Sequence, residues 1–178
     1  MRFAHFLLLA LILSPALAQP ARAPNVEEQR AAMKLLSFLV GNWSGRARMQ
    51  HVQGDALELT QTEIAQYKLD GLVLLIEGTG RTVPDGKAVL SALATISYDD
   101  EAKGYRMRAY NNGRYMEAEV KLAENGKGLA WGFTFGQIKT STIMTINDKG
   151  EWTEAGEIAV GAQPPRKFLE LTVRREAP

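Results

Sequence analysis

His51 is the one histidine downstream of residue 18, and histidine is the side chain whose ordinary pKa lies near neutrality. Acid–base chemistry would look to it first. It would need a second ligand to hold a metal, or a positioned carboxylate to form an acid–base pair, and the local sequence offers neither. Two glutamates are candidates to face inward among apolar neighbours. Glu77 shares strand parity with Val73 and Leu75, and Glu170 shares it with Phe168. A second kind of chemistry is containment. Trp131, Phe133 and Phe135 alternate with Ala130, Gly132 and Thr134, so one face of that segment is aromatic and the other small. Such a face suits a flat or aliphatic ligand, and it equally suits ordinary core packing. Met107, Met116 and Met144 fit both readings, because thioethers fill gaps and also adapt to loosely specified ligands.

These residues must be positioned by strands. From Trp43 onward the hydrophobic period is two, and turn residues arrive at regular intervals. The expected strands are 43–51, 56–67, 72–79, 87–98, 104–110, 114–122, 128–135, 138–147, 151–159 and 166–175. Between them stand Gln53-Gly54-Asp55, Asp70-Gly71, Pro84-Asp85-Gly86, Asn111-Asn112-Gly113, Glu124-Asn125-Gly126 and Asp148-Lys149-Gly150. None of the seven prolines interrupts a strand. If Trp43 points inward, alternation sends Ala47, Met49 and His51 inward and Arg46 and Arg48 outward. The candidate cavity lining is therefore Met49, His51, Met107, Trp131, Phe133, Phe135 and Met144. Arg106, Arg108 and Tyr110 share one face of the fifth strand. An inward arginine beside a tyrosine would suit a carboxylate. Two unpaired arginines in a core are costly, which favours Tyr105, Met107 and Ala109 as the inner set.

A short amphipathic helix, 26–38, precedes the first strand, with Asn25 as N-cap and Glu27 and Glu28 in its first turn. It is too short to be stable alone and must lie on the sheet. Ten antiparallel strands joined by short hairpins are expected to close into an up-and-down barrel, since closure removes exposed edges; a two-sheet sandwich is the alternative.

Ahead of the helix, Arg2, the apolar residues 6–13 and Ala16-Leu17-Ala18 form a secretory signal, with cleavage before Gln19. The expected organisation is a signal peptide at 1–18, a flexible leader at 19–25 and one barrel domain at 26–176. The apolar run is too short for a membrane anchor. The chain has 21 basic and 20 acidic residues, and losing Arg2 makes the two equal. That balance gives no basic excess for nucleic acid and no polybasic membrane patch. There is no cysteine, which excludes disulfides, thiol chemistry and an N-terminal lipid-modified cysteine.

Leu39-Val40-Gly41-Asn42-Trp43 after a short helix, Leu69-Asp70-Gly71 before an apolar strand, Ile96-Ser97-Tyr98-Asp99 ahead of Gly104-Tyr105, and a last strand ending Thr172-Val173-Arg174-Arg175 resemble the lipocalin-like secreted bacterial domains of unknown function 1579. More distantly they resemble fatty-acid-binding proteins and nitrobindins. The resemblance covers residues 33–175. It implies that Trp43 closes one end of a calycin-type barrel and that an arginine of the last strand, Arg174 or Arg175, stacks on it. It also implies that the helix caps one mouth. Nitrobindin-like barrels hold haem through a histidine late in the chain, and His51 is early, so no haem and no other cofactor is expected.

The favoured function is a secreted or periplasmic barrel that binds a small hydrophobic or lipid-like molecule. One alternative is an enzyme on the same barrel, an isomerase or hydrolase of a small lipophilic substrate using His51, Glu77 or Glu170, two of which would have to converge. Another is a packed accessory domain acting through its outer surface.

Overall fold

The computed structural model describes residues 22–50 and 55–177. Helix α1 (Val26–Lys34) and a single 3-10 turn (Ser37–Leu39) lead into eleven strands: β1 (Gly41–Gln50), β2 (Ala56–Lys68), β3 (Val73–Thr82), β4 (Ala88–Asp99), β5 (Gly104–Asn111), β6 (Arg114–Leu122), β7 (Gly128–Trp131), β8 (Thr134–Phe135), β9 (Ile138–Ile146), β10 (Trp152–Val160) and β11 (Arg166–Arg175). Apart from β7 and β8, consecutive strands pair antiparallel, β7 pairs with β9, and β1 also pairs with β11, so the sheet closes on itself. β7 and β8 both run along β9 and are two pieces of one strand. The result is a closed ten-stranded antiparallel barrel with one short helix.

The seventh expected strand, 128–135, is broken at Gly132 and Phe133. A Cβ on Gly132 would lie 2.4 Å from the Thr140 carbonyl oxygen, and the Thr140 hydroxyl takes the Phe133 N–H in place of a ladder carbonyl. The barrel is also thinly stitched beside it. β6 and β7 share two paired positions, Lys121 with Ala130 and Leu122 with Leu129.

The helix stoppers the end of the barrel where β1 begins and β11 ends. Asn25 caps it by accepting from the Glu28 N–H, and Asp100 accepts from the Asn25 N–H at 2.8 Å and from Gln29 Nε2 at 2.6 Å. Tyr105 donates to the Ala32 carbonyl at 2.7 Å and Tyr67 to that of Met33 at 2.5 Å. Met33, Leu36 and Leu39 are fully buried against Trp43, Leu74 and Ile96. Each such burial contributes on the order of 1.5–3 kcal/mol, which a helix of this length needs to be stable.

The Gly-x-Trp corner has a specific geometry. Trp43 donates through Nε1 to the Leu39 carbonyl at 2.8 Å and meets Trp152 edge-on at 5.5 Å. Arg175, not Arg174, stacks on Trp43, with its guanidinium carbon 4.1 Å from the ring. It also donates to the carbonyls of Phe38, at 2.7 Å, and Val40. Gly41 has φ +139°, and the guanidinium passes through the space a Cβ there would occupy. Arg174 points outward to Glu151 at 2.8 Å.

Candidate functional site

The barrel is hollow. A cavity of about 520 Å³ runs from the Leu39 floor toward the end opposite the helix, where β5 passes into β6 and β8 into β9. Its size falls in the roughly 300–1,000 Å³ range of small-molecule sites. Met49, Met107, Trp131, Phe133, Phe135 and Met144 all line it, together with Ile76, Ile96 and Met116. His51 lies outside the described residues. At the mouth, Arg114 of β6 stacks on Phe135 of β8 at 5.1 Å. This contact spans the place where β6 and β7 have ceased to pair. Asn111 and Asn112 complete that rim.

Glu77 and Glu170 do not face the interior. β3 turns Leu74, Ile76, Gly78 and Gly80 inward, which leaves Glu77 exposed on the outer face with Val73 and Leu75. The inner face of this strand is partly glycine and the outer face partly aliphatic, so hydropathy gives the reverse of the true orientation. On β11 the parity breaks near Phe168. Phe168 and Leu169 both touch the cavity beside a register shift at Gly156 and Glu157 of β10. Leu171 and Val173 follow Leu169 inward, and Glu170 is exposed, paired with Lys167 at 2.7 Å. The fifth strand has Tyr105, Met107 and Ala109 inside. Arg106 and Arg108 form an outer ladder with Glu119 and Glu117, at 2.7 and 3.0 Å.

The polar groups that do enter the cavity come from strands whose alternation reads less clearly. β2 turns Leu59, Gln61, Glu63 and Ala65 inward. Gln61 is 1% exposed and Glu63 8%. They fit because β3 places Gly80 opposite Gln61 and Gly78 opposite Glu63. A Cβ on Gly78 would stand 2.8 Å from Glu63 Oε2, and one on Gly80 would stand 2.7 Å from Gln61 Oε1. Gln61 Nε2 donates to Glu63 Oε1 at 2.7 Å, whereas Gln61 Oε1 is buried without a partner. Glu154 of β10 also lines the cavity and accepts from Trp152 Nε1 at 2.9 Å.

Burial pushes the Glu63 carboxyl up to about 8; the Glu154 charge adds to this and the Gln61 hydrogen bond opposes it. Burial likewise pushes Glu154 up to about 7 against the lowering effect of Trp152. Loss of hydration is the dominant cause in both, since no described cation pairs with either group. Near the floor of an apolar barrel, then, stand two carboxyls poised around neutrality and an amide oxygen with nothing to accept from. Among the described residues no group of three or more histidine, cysteine, aspartate or glutamate side chains could hold a metal ion.

Closed antiparallel barrel, helical stopper and one hollow interior define the class, a small lipocalin-like barrel. The chain is similar to Rv2717c from M. tuberculosis, with a TM-score of 0.68 and 16% identity over 82% of this chain and 98% of that one. It is also similar to the S-type phycobiliprotein lyase CPES from Guillardia theta, with a TM-score of 0.58 and 10% identity over 83% and 93% of the two chains. At these identities the likeness is one of fold. Comparison with family models and with curated proteins returns no match. No helix among the described residues is long and apolar enough to cross a membrane.

Proposed function

We propose that this protein is an exported carrier that holds a small, mainly apolar molecule inside the barrel. The observation that carries the reading is the cavity itself: about 520 Å³, stoppered by α1 at one end and walled by Trp131, Phe133, Phe135 and four methionines. A barrel of this bore can fill itself with its own side chains, and this one does not. The apolar wall supplies affinity, and the few polar groups near the floor supply orientation. The ligand enters at the rim formed by Asn111, Asn112 and Arg114, because the other end is sealed by Met33, Leu36, Leu39 and Trp43.

The signal-like residues 1–18 support export, to the periplasm in a Gram-negative cell, and the motifs shared with the secreted domains of unknown function 1579 support membership of that family. The catalytic alternative loses two of its named groups, since Glu77 and Glu170 are on the outer face. Native mass spectrometry of protein purified from its own source tests the proposal. A mature chain beginning at Gln19 with a lipid-like mass bound is the expected result. A ligand-free spectrum from gentle preparations, together with failure to bind any apolar probe, would overturn it.

A further inference from the structure

Resting on the carrier reading, we infer that the guest of this barrel bears a basic nitrogen, which enters first and docks between Glu63, Glu154 and the free carbonyl oxygen of Gln61. The chemistry of the floor is weighted toward acceptors. Gln61 Nε2 gives one of its two N–H groups to Glu63, and Trp152 Nε1 gives its single N–H to Glu154. Against the second Gln61 N–H and the Thr142 hydroxyl stand the remaining oxygen of each carboxyl and Gln61 Oε1, which is buried and unpartnered. An orphaned buried acceptor costs stability unless something donates to it. A protonated amine brings two or three N–H donors and one positive charge, matching three acceptors and two acids. A carboxylate headgroup brings no donor for Gln61 Oε1, and it meets like charge wherever Glu63 or Glu154 is ionised.

The surroundings add no competing cation near the floor. Among the described residues that line the cavity, the titratable ones are Glu63, Glu154, Tyr110 and Arg114, and the last two stand at the mouth. β1 faces the pair with Gly45, Ala47 and Met49, β3 with Gly78 and Gly80, β9 with Thr142 and Met144, and β11 with Leu171 and Val173. None of these titrates. The niche is also built to size, since Gly78 and Gly80 leave Glu63 and Gln61 the room in which they lie. Because burial leaves the floor's carboxyls holding protons near neutrality, docking of an ammonium group expels one or more of them.

Isothermal titration at pH 7 with three probes of equal chain length, dodecylamine, dodecan-1-ol and dodecanoate, tests the inference. Dodecylamine should bind on the order of tenfold or more tighter than the alcohol, and dodecanoate weakest. In two buffers of different ionisation enthalpy, dodecylamine binding should release protons and alcohol binding none. Glu63→Gln and Glu154→Gln, which preserve shape, should each bring the amine toward the affinity of the alcohol. Proton release is read on the unaltered protein, so the test survives if a variant does not fold. Alcohol bound as tightly as amine, with no proton release, would overturn the inference and leave the carrier reading intact. If none of the three probes binds, the carrier reading fails and the inference falls with it.

Discussion

Replacing Glu63 by glutamine should remove much of the pH dependence of this protein's stability between pH 5 and 8. The Glu63 carboxyl moves from an ordinary 4.5 in the unfolded chain to about 8 in the barrel. The folded state therefore holds the proton more tightly. The stabilisation linked to that proton is fully present below about pH 4.5 and is lost as the pH rises through 8. At about 1.4 kcal/mol per unit the ceiling is on the order of 5 kcal/mol, and water in the open cavity lowers it to roughly 2–4 kcal/mol. Glu154, raised from 4.5 to about 7, loses stability in the same direction over a slightly lower window. The two are coupled, so their effects do not simply add.

Asp99, Asp100, Glu117 and Glu151 are all held below the ordinary carboxylate range, chiefly by hydrogen bonds they accept. Their contribution is lost as pH falls through their lowered values, outside the pH 5 to 8 window. Urea unfolding followed by tryptophan fluorescence, at half-unit steps from pH 5 to 8.5 with the m-value checked for constancy, gives the curve. Wild-type stability should fall across the range, and Glu63→Gln should lose at most about half as much while matching wild type within about 1 kcal/mol at pH 5. Parallel curves for the two proteins would refute the assignment of Glu63 as a desolvated acid.

Two further substitutions separate the structural claims. Arg175→Ala removes two hydrogen bonds to backbone carbonyls and the stack on Trp43, and should cost about 2–4 kcal/mol. Arg174→Ala, on a side chain 79% exposed, should cost less than about 1 kcal/mol. Equal shifts in urea midpoint would contradict the pairing described at the corner. Gly78→Ala forces a methyl to within 2.8 Å of Glu63 Oε2 and should destabilise by about 1–3 kcal/mol. The penalty should shrink in a Glu63→Ala background. A double-mutant cycle with no coupling between the two positions would show that Gly78 is not there to seat Glu63.

The architecture was readable because its signals are local. Asp70-Gly71, Asn112-Gly113 and Asp148-Lys149-Gly150 do mark hairpin turns, and the glycines among them take positive φ. Nine of the ten expected strands are continuous, within a few residues of their expected ends, and the tenth carries a short break. The resemblance implied the Trp43 and arginine contact to within one residue. Parity decides it: Leu171, Val173 and Arg175 share the inner side of β11, and Arg174 cannot. That parity could not be carried from Phe168, because Phe168 is the extra residue of β11 opposite Gly156 and Glu157, and it reaches the cavity together with Leu169.

The polar floor escaped for a different reason. A strand seen alone shows which residues alternate, and hydropathy then chooses the inner face. On β2 both faces are mixed: Gln61 and Glu63 lie inside while Ile64 is exposed. The choice becomes possible only across a hairpin. The β2–β3 register pairs Glu63 with Gly78 and Gln61 with Gly80, and pairs the outward Glu77 with the outward Ile64. Two glycines at alternate positions of a central strand give up packing and β propensity, so something opposite them must need the space. In a small barrel that something lies inside, because outside there is no shortage of room. The same reasoning makes the pair of carboxyls a functional feature rather than a defect of packing. Filling the site with leucine would bury more apolar surface at no desolvation cost, whereas this chain devotes Gln61, Glu63, Gly78 and Gly80 to burying one acid beside an unsatisfied amide oxygen and turns a second acid, Glu154, onto the same cavity.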